Sequence, residues 1–203
     1  MEITWLGHAC FALESNGYRI VLDPYAMDGY PPLHTCADAV CCSHGHRDHN
    51  YVEAVELSTG KQSPFTVEKV ATFHDEKGGA LRGGNTVHIL RAEGMTVVHC
   101  GDLGHYPTAE QLAAISNADA LLIPVGGYYT IDAAMAKRVC DAAAPRVIVP
   151  MHYRHDGYGL REVGTVDDFL RLYPDGQIHR ETRSRFTLTP TSPSGVVVPT
   201  YGK

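Results

Sequence analysis

Hydrophobic and polar positions alternate along the opening of the chain. "EITWLG" and "CFALES" alternate as half-buried strands do, and "YRIVLD" follows them across Asn16-Gly17. Asn-Gly between two β-rich runs is a strong hairpin signal, because both residues accept the positive φ angles that a tight turn needs. "ADAVCCS" reads as a buried strand, and "TVEKVATFH" and "TVHILRAEGMTVVHCGD" continue the series with a turn at Glu93-Gly94. After Asp102 the period changes. "TAEQLAAISN" has helical spacing with Thr108 as N-cap, "ADALLIPV" returns to strand, and "TIDAAMAKRVCDAAA" predicts a helix stopped before Pro145. "RVIVPMH" is a short buried strand, "TVDDFLRLYP" a last short helix, and "QIHRE" and "RFTLTP" further strands. The turn-rich segment 191–203 reads as a loose tail or an edge strand.

β-hairpins followed by alternating strands and helices suit two sheets with helices outside them. With 203 residues, no internal repeat and no obvious linker, the expectation is one domain over 1–203. The composition, 44% hydrophobic and 20% charged, is that of an ordinary globular protein. A net charge of −6 argues against nucleic acid or an anionic membrane as partner. No apolar run reaches membrane-spanning length, and the opening residues lack a basic region followed by an apolar stretch, so no signal peptide is expected. Six scattered cysteines without a C-x-x-C pair favour reduced thiols, and the expected compartment is the cytoplasm.

Twelve histidines are the unusual figure, and several end apolar runs. In "SHGHRDHN", His44, His46 and Asp48 recur every second residue, so an extended segment projects them to one side. His49 follows Asp48 directly, and adjacent side chains diverge. The simplest geometry gives His44 and His46 to one metal ion and Asp48 and His49 to a second. Imidazole nitrogen and carboxylate oxygen suit zinc or manganese, with iron also allowed. Cys41 and Cys42 fall in the preceding strand and are not needed as ligands.

His44-Gly45-His46-Arg47-Asp48-His49 matches an H-x-H-x-D-H signature, and the chain resembles the metallo-β-lactamase superfamily. Asp23 in "IVLDP", His74 in "ATFHD", Asp102 in "HCGDLGH" and His152 in "IVPMHY" follow in that family's order, each at the end of an expected strand. The resemblance implies an α/β (α+β) fold, a four-layer αββα sandwich. It implies two divalent cations: His44, His46 and His74 on the first, Asp48, His49 and His152 on the second, and Asp102 bridging both. Asp23 would orient a ligating imidazole from behind. The segment after His74, the opening "ITWLGHACFALES" and "LLIPVGGYYTIDAAMA" resemble the branch that includes L-ascorbate-6-phosphate lactonase.

Further side chains are candidates for substrate contact: His8 at a strand end, Arg82 and Asn85 in the glycine-rich "GGALRGGN", Tyr128 and Tyr129, and Arg154 beside His152. The glycine-rich segment lacks the Gly-Lys-Ser/Thr ending of a nucleotide loop and is expected to be a flexible loop beside the metals. His88 and His99 lie inside strands and read as core. The implied reaction is hydrolysis of a small ester or lactone by a metal-bound hydroxide, with Asp48 and Asp102 as the catalytic carboxylates and Asp48 carrying the proton. A small-molecule or nucleotide phosphodiesterase is the alternative, and a non-hydrolytic di-iron redox or metal-binding protein the third reading. The partner is a small-molecule substrate, and a homo-oligomer is allowed.

Overall fold

The computed structural model describes residues 1–202. The chain begins with β1 (Glu2–Gly7), β2 (Cys10–Ser15) and β3 (Tyr18–Leu22), the expected hairpins, with Asn16 and Gly17 both at positive φ. Next come β4 (Thr35–Ala37), β5 (Ala39–Cys41) and β6 (Val55–Leu57), then the long hairpin β7 (Thr66–Phe73) and β8 (Gly84–Ala92), and β9 (Met95–His99). The second half holds α1 (Ala109–Ile115), β10 (Ala120–Pro124), α2 (Ala133–Ala143), β11 (Val147–Met151), α3 (Val166–Leu170), β12 (Ile178–Arg180), β13 (Arg185–Thr187) and β14 (Gly195–Val198).

The strands form two main sheets. One runs β13-β1-β2-β3-β5, the other β12-β14-β11-β10-β9-β8-β7, and β4 pairs with β6 in a small third sheet. The mixed sheets and few helices are those of the expected metallo-β-lactamase-type sandwich. Buried apolar residues of both main sheets, from Ile3, Phe11 and Leu22 to Ile89, Val98 and Val149, join one core with Val139 of α2 and Phe169 of α3. A smaller cluster, including Ala12, Val21, Tyr25, Leu33 and Val55, packs on the other face of the five-stranded sheet. There the cover is the 24–34 segment and the turn Val52–Ala54, with no α-helix among the described residues.

Local chemistry explains the helix ends. Thr108 caps α1 by accepting from the Gln111 N–H at 3.3 Å, while the Gln111 side chain accepts from the Thr108 N–H at 2.9 Å, a reciprocal capping box. α2 starts later than its pattern suggests, because Asp132 accepts the Met135 N–H at 2.8 Å and fixes the first turn. It ends at Ala144, in the left-handed region just before Pro145.

The C-terminal segment corrects the reading of a loose tail or edge. β14 lies inside the seven-stranded sheet, parallel to both β11 and β12, with Val196 to Val198 buried. Its three valines are a central-strand signature that the flanking prolines and glycines masked. Tyr201, beyond it, meets Trp5 edge-on at 5.8 Å between ring centroids; Lys203 lies outside the described residues.

His88 and His99 face each other across β8 and β9, both fully buried. His99 Nε2 lies 2.8 Å from the Ala9 carbonyl, which ties the two sheets together. Neither ring nitrogen of His88 has a partner. Among the described residues no helix is long and apolar enough to cross a membrane.

Candidate metal centre

Strand direction gathers the site. β9, β10 and β11 are mutually parallel, so Asp102 and His152 follow strands that end at the same edge of the large sheet. β7 is antiparallel to β8 and β8 to β9, which brings His74, after β7, to that edge too. In the other sheet β3 and β5 are parallel, and beyond their carboxyl ends lie Asp23 and the 43–49 segment. Clefts at the carboxyl ends of parallel strands are natural sites because loops diverge there and leave room.

His44, His46 and His74 form one cluster, with one nitrogen from each within 4.8 Å of the others. His44, His49 and Asp102 form another by the same measure, so His44 belongs to both. One Asp102 oxygen is 3.2 Å from His49 Nε2, and the other is 3.1 Å from His74 Nε2 and 3.4 Å from His152 Nε2. Six of the seven predicted ligands thus converge on one region. Asp48 is at its margin, 3.9 Å from His49 Nε2, with its side chain 29% exposed. The way His44 and His46 come together differs from the expected extended segment. Residues 43–49 form a series of bends in which the His49 N–H donates to the His46 carbonyl at 2.9 Å. The bends at 43–46, not strand alternation, set the two rings together, with His44 Nε2 3.0 Å from His46 Nδ1.

Asp23 is buried behind the cluster with a positive φ. Its carboxylate accepts from the Ser43 N–H at 2.7 Å and the Ser43 hydroxyl at 2.6 Å, and faces His49 Nδ1 at 2.8 Å. His49 is therefore held with Nε2 directed at Asp102. Burial alone would favour its neutral form, but Asp102 and then Asp23 raise its pKa well above that of free imidazole. Asp102 is lowered far below the ordinary carboxylate range: burial opposes ionisation, and His152 and His49 overcome it. His44 is lowered to about 4, by burial and then by His49.

Gly101 makes the approach of Asp102 feasible. Its φ is +53°, and a Cβ there would lie 2.4 Å from Asn85 Oδ1 and 2.4 Å from Ser43 Cβ. Asn85 in turn accepts the Asp102 N–H at 2.9 Å and donates to the Thr72 hydroxyl and the Cys100 carbonyl. These bonds occupy its amide and bury it, so the expected substrate contact at Asn85 is corrected to a brace for Asp102.

The glycine-rich segment after His74 is also not the loose loop expected. Asp75 accepts four backbone N–H groups, from Lys77, Gly79, Leu81 and Arg82, at 2.8 to 3.0 Å. Burial works against its ionisation, yet these bonds, led by Arg82, hold its carboxyl down to about 2. Asp75 was not among the residues expected to matter. Its signal in the sequence is an aspartate ahead of glycines whose N–H groups need an acceptor.

Among the other candidates, Arg82 donates to the Tyr128 carbonyl at 3.3 Å and lies 5.6 Å over the Tyr129 ring. Tyr128 is 65% exposed at φ +63°, and the two tyrosine rings meet edge-on at 4.7 Å. Arg154 donates to the Val163 carbonyl at 3.3 Å and lines a cavity of about 270 Å³ with Trp5, Tyr153 and Asp167. None of the clustered histidines lines that cavity. His8 is buried beside His152, with a ring-centroid distance of 4.2 Å.

The donor set fits metal ions. His49 Nε2, Asp102 Oδ1 and His8 Nε2 are buried and in no hydrogen bond, although the first two atoms lie only 3.2 Å apart. Buried polar atoms left unpaired cost free energy, and a cation shared among them removes that cost.

Two sheets with histidines and aspartates at their joined carboxyl edge define a metallohydrolase-type site. The family profile described as "Beta-lactamase superfamily domain" matches residues 2–152, and the chain belongs to that superfamily. It is 28% identical to a "UPF0173 metal-dependent hydrolase" of Carboxydothermus hydrogenoformans, over 83% of this chain and 91% of that protein. A protein of the same name from Archaeoglobus fulgidus is 28% identical over 75% and 83%. A crystal structure from Thermotoga maritima, described as a Zn-dependent hydrolase of the metallo-beta-lactamase superfamily, is 37% identical with a TM-score of 0.77. That match covers 98% of this chain and 97% of the Thermotoga chain. The metallo hydrolase Igni18 of Ignicoccus hospitalis, 21% identical with a TM-score of 0.57 over 84% of this chain and 89% of that one, shares the fold. These names state a metal-dependent hydrolase and no substrate.

Proposed function

We propose that the protein is a metal-dependent hydrolase acting on a small ester or lactone through two divalent cations, zinc or manganese. The observation that carries this reading is the convergence of His44, His46, His49, His74 and His152 around the Asp102 carboxylate, with buried donor atoms outside any hydrogen bond. Such ions supply Lewis acidity and lower the pKa of water toward neutrality. The chain's own residues do the rest. Asp102 holds the two sets of imidazoles in register. Asp23 fixes the tautomer of His49 by accepting a hydrogen bond from its Nδ1–H, leaving the Nε2 lone pair for a cation. Asp48, at the solvent side, takes and returns a proton as the ester bond breaks. Arg82 and the exposed Tyr128 form a polar rim. The net charge of −6 disfavours a polyanionic substrate such as RNA.

His46→Ala is the direct test, because His46 is exposed and its loss leaves the core untouched. The variant should lose bound metal and hydrolysis of a lactone and aryl-ester panel, both measured on zinc- and manganese-loaded protein. Full metal retention sinks the reading. Activity confined to phosphodiesters in the same screen keeps the metals and overturns the ester assignment.

A further inference from the structure

We infer that Arg82 selects the substrate: the ester or lactone cleaved at the candidate metal centre carries an oxyanion group, a carboxylate or a phosphate, and the Arg82 guanidinium binds it. This rests on the hydrolase reading above and names a substrate class that the reading leaves open.

Arg82 bridges the loops that bear His74, Asp102 and His152. Its own loop follows His74, whose N–H donates to the Gly83 carbonyl at 3.1 Å. Its side chain donates to the Tyr128 carbonyl at 3.3 Å. The turn that holds Tyr128 is tied on one side to Leu103, next to Asp102, where the Ile131 N–H donates to the Leu103 carbonyl at 2.9 Å. On the other side, Gly126 packs on the His152 carbonyl so closely that a Cβ would lie 2.3 Å from that oxygen. The guanidinium is therefore fixed where these loops meet.

Its charge has no partner there. The side chain is half-buried, and among the described residues its contacts are the Tyr128 carbonyl and the Tyr129 ring, 5.6 Å away, with no carboxylate in an ion pair. Asp75 spends its carboxylate on backbone N–H groups, including that of Arg82 at 2.8 Å, so it presents the side chain without pairing with it. A guanidinium is a planar fork of N–H groups that matches a carboxylate or a phosphate. Holding one carbonyl leaves most of that fork unused, and a clamp on a carbonyl needs no cation.

The surroundings fit the rest of such a molecule. Leu81, adjacent in the chain, and Tyr128 are large side chains left exposed on either side. Tyr128 keeps its position at a φ of +63°, a strain that non-glycine residues carry mainly where the surrounding structure imposes it. An apolar body lying on these two side chains would bring its oxyanion to Arg82.

The test is nuclear magnetic resonance of zinc-loaded protein labelled with ¹⁵N-arginine. It is titrated with benzoate, with phenyl phosphate, and with benzamide as the uncharged counterpart of benzoate. The Arg82 Nε resonance, assigned by its loss in Arg82→Gln, should move to saturation with an anion and stay in place with benzamide. Whichever anion saturates at lower concentration distinguishes a carboxylate from a phosphate substrate. In Arg82→Gln the affinity for that anion, followed on the Tyr128 N–H resonance, should fall roughly 10–100-fold, and Arg82→Lys should recover part of the loss. An Arg82 Nε resonance that stays in place or drifts without saturating overturns the inference. So does an anion affinity that is equal in the parent and in Arg82→Gln. Either result leaves the hydrolase reading standing, because that reading is tested separately by the metal content and hydrolysis of His46→Ala.

Discussion

Asn85 shows how single side chains at this site work through their neighbours. Its Oδ1 takes the Asp102 N–H and its amide group is held by Thr72 and Cys100. Asn85→Ala leaves the buried Asp102 N–H unpaired, at a cost of about 1–3 kcal/mol. Loss of a brace behind a metal ligand lowers affinity roughly 10–100-fold. Titration against a chromophoric chelator should show that drop while circular dichroism stays native; affinity within twofold of the parent would remove Asn85 from the site. His44, His46, Asp48 and His49 were legible in the sequence because imidazoles and a carboxylate crowd into one short run, the donor types that a divalent cation takes. Asp23, His74, Asp102 and His152 were legible only through family order. Asn85 was visible as a residue and misread in role, because what it touches comes from β7 and β9.

At the scale of elements, the Asp75 loop and the β8–β9 pair carry separate predictions. Removing the Asp75 carboxylate in Asp75→Ala frees four backbone N–H groups. Hydrogen exchange should speed up at Lys77, Gly79, Leu81 and Arg82 and stay slow in β8; uniform exchange would mean that the loop stands without Asp75. In the β8–β9 pair, burial and then the facing His99 lower His88 to about 4. A histidine whose folded pKa lies below its unfolded value of about 6.5 resists protonation only when folded. Its contribution is therefore intact above the unfolded value and is lost as pH falls from there toward 4, amounting to about 3 kcal/mol by linkage. His88→Leu should flatten the decline in melting temperature between neutral and acid buffer. An equally steep decline would place the acid sensitivity elsewhere. Strand and helix existence was legible from period, as in β1 to β3 and in α1. β14 was misread because a strand's place in a sheet depends on neighbours that are distant in sequence, here β11 and β12.

At the scale of the whole molecule, the candidate metal centre joins two sheets: Asp23 and residues 43–49 come from one, and His74, Asp102 and His152 from the other. Cations bound across that seam should hold the sheets together. At free metal near a thousand times Kd, a bound cation adds about 4 kcal/mol, which in a chain of this size is about 10 °C in Tm. Chelation followed by calorimetry should show a fall of that order, restored by zinc or manganese. An unchanged Tm would mean that the seam is preorganised without cations.

The sequence by itself determined the strands and helices, the two-sheet class and the run from His44 to His49, because these depend on local period and local composition. Tertiary structure alone decided that Asn85 braces Asp102 and that His8 stands against His49 and His152. Those relations depend on which strands lie side by side and which ends they share. Long-range pairing, such as β1 with β13 or β11 with β14, sets that and leaves no periodic trace in the chain.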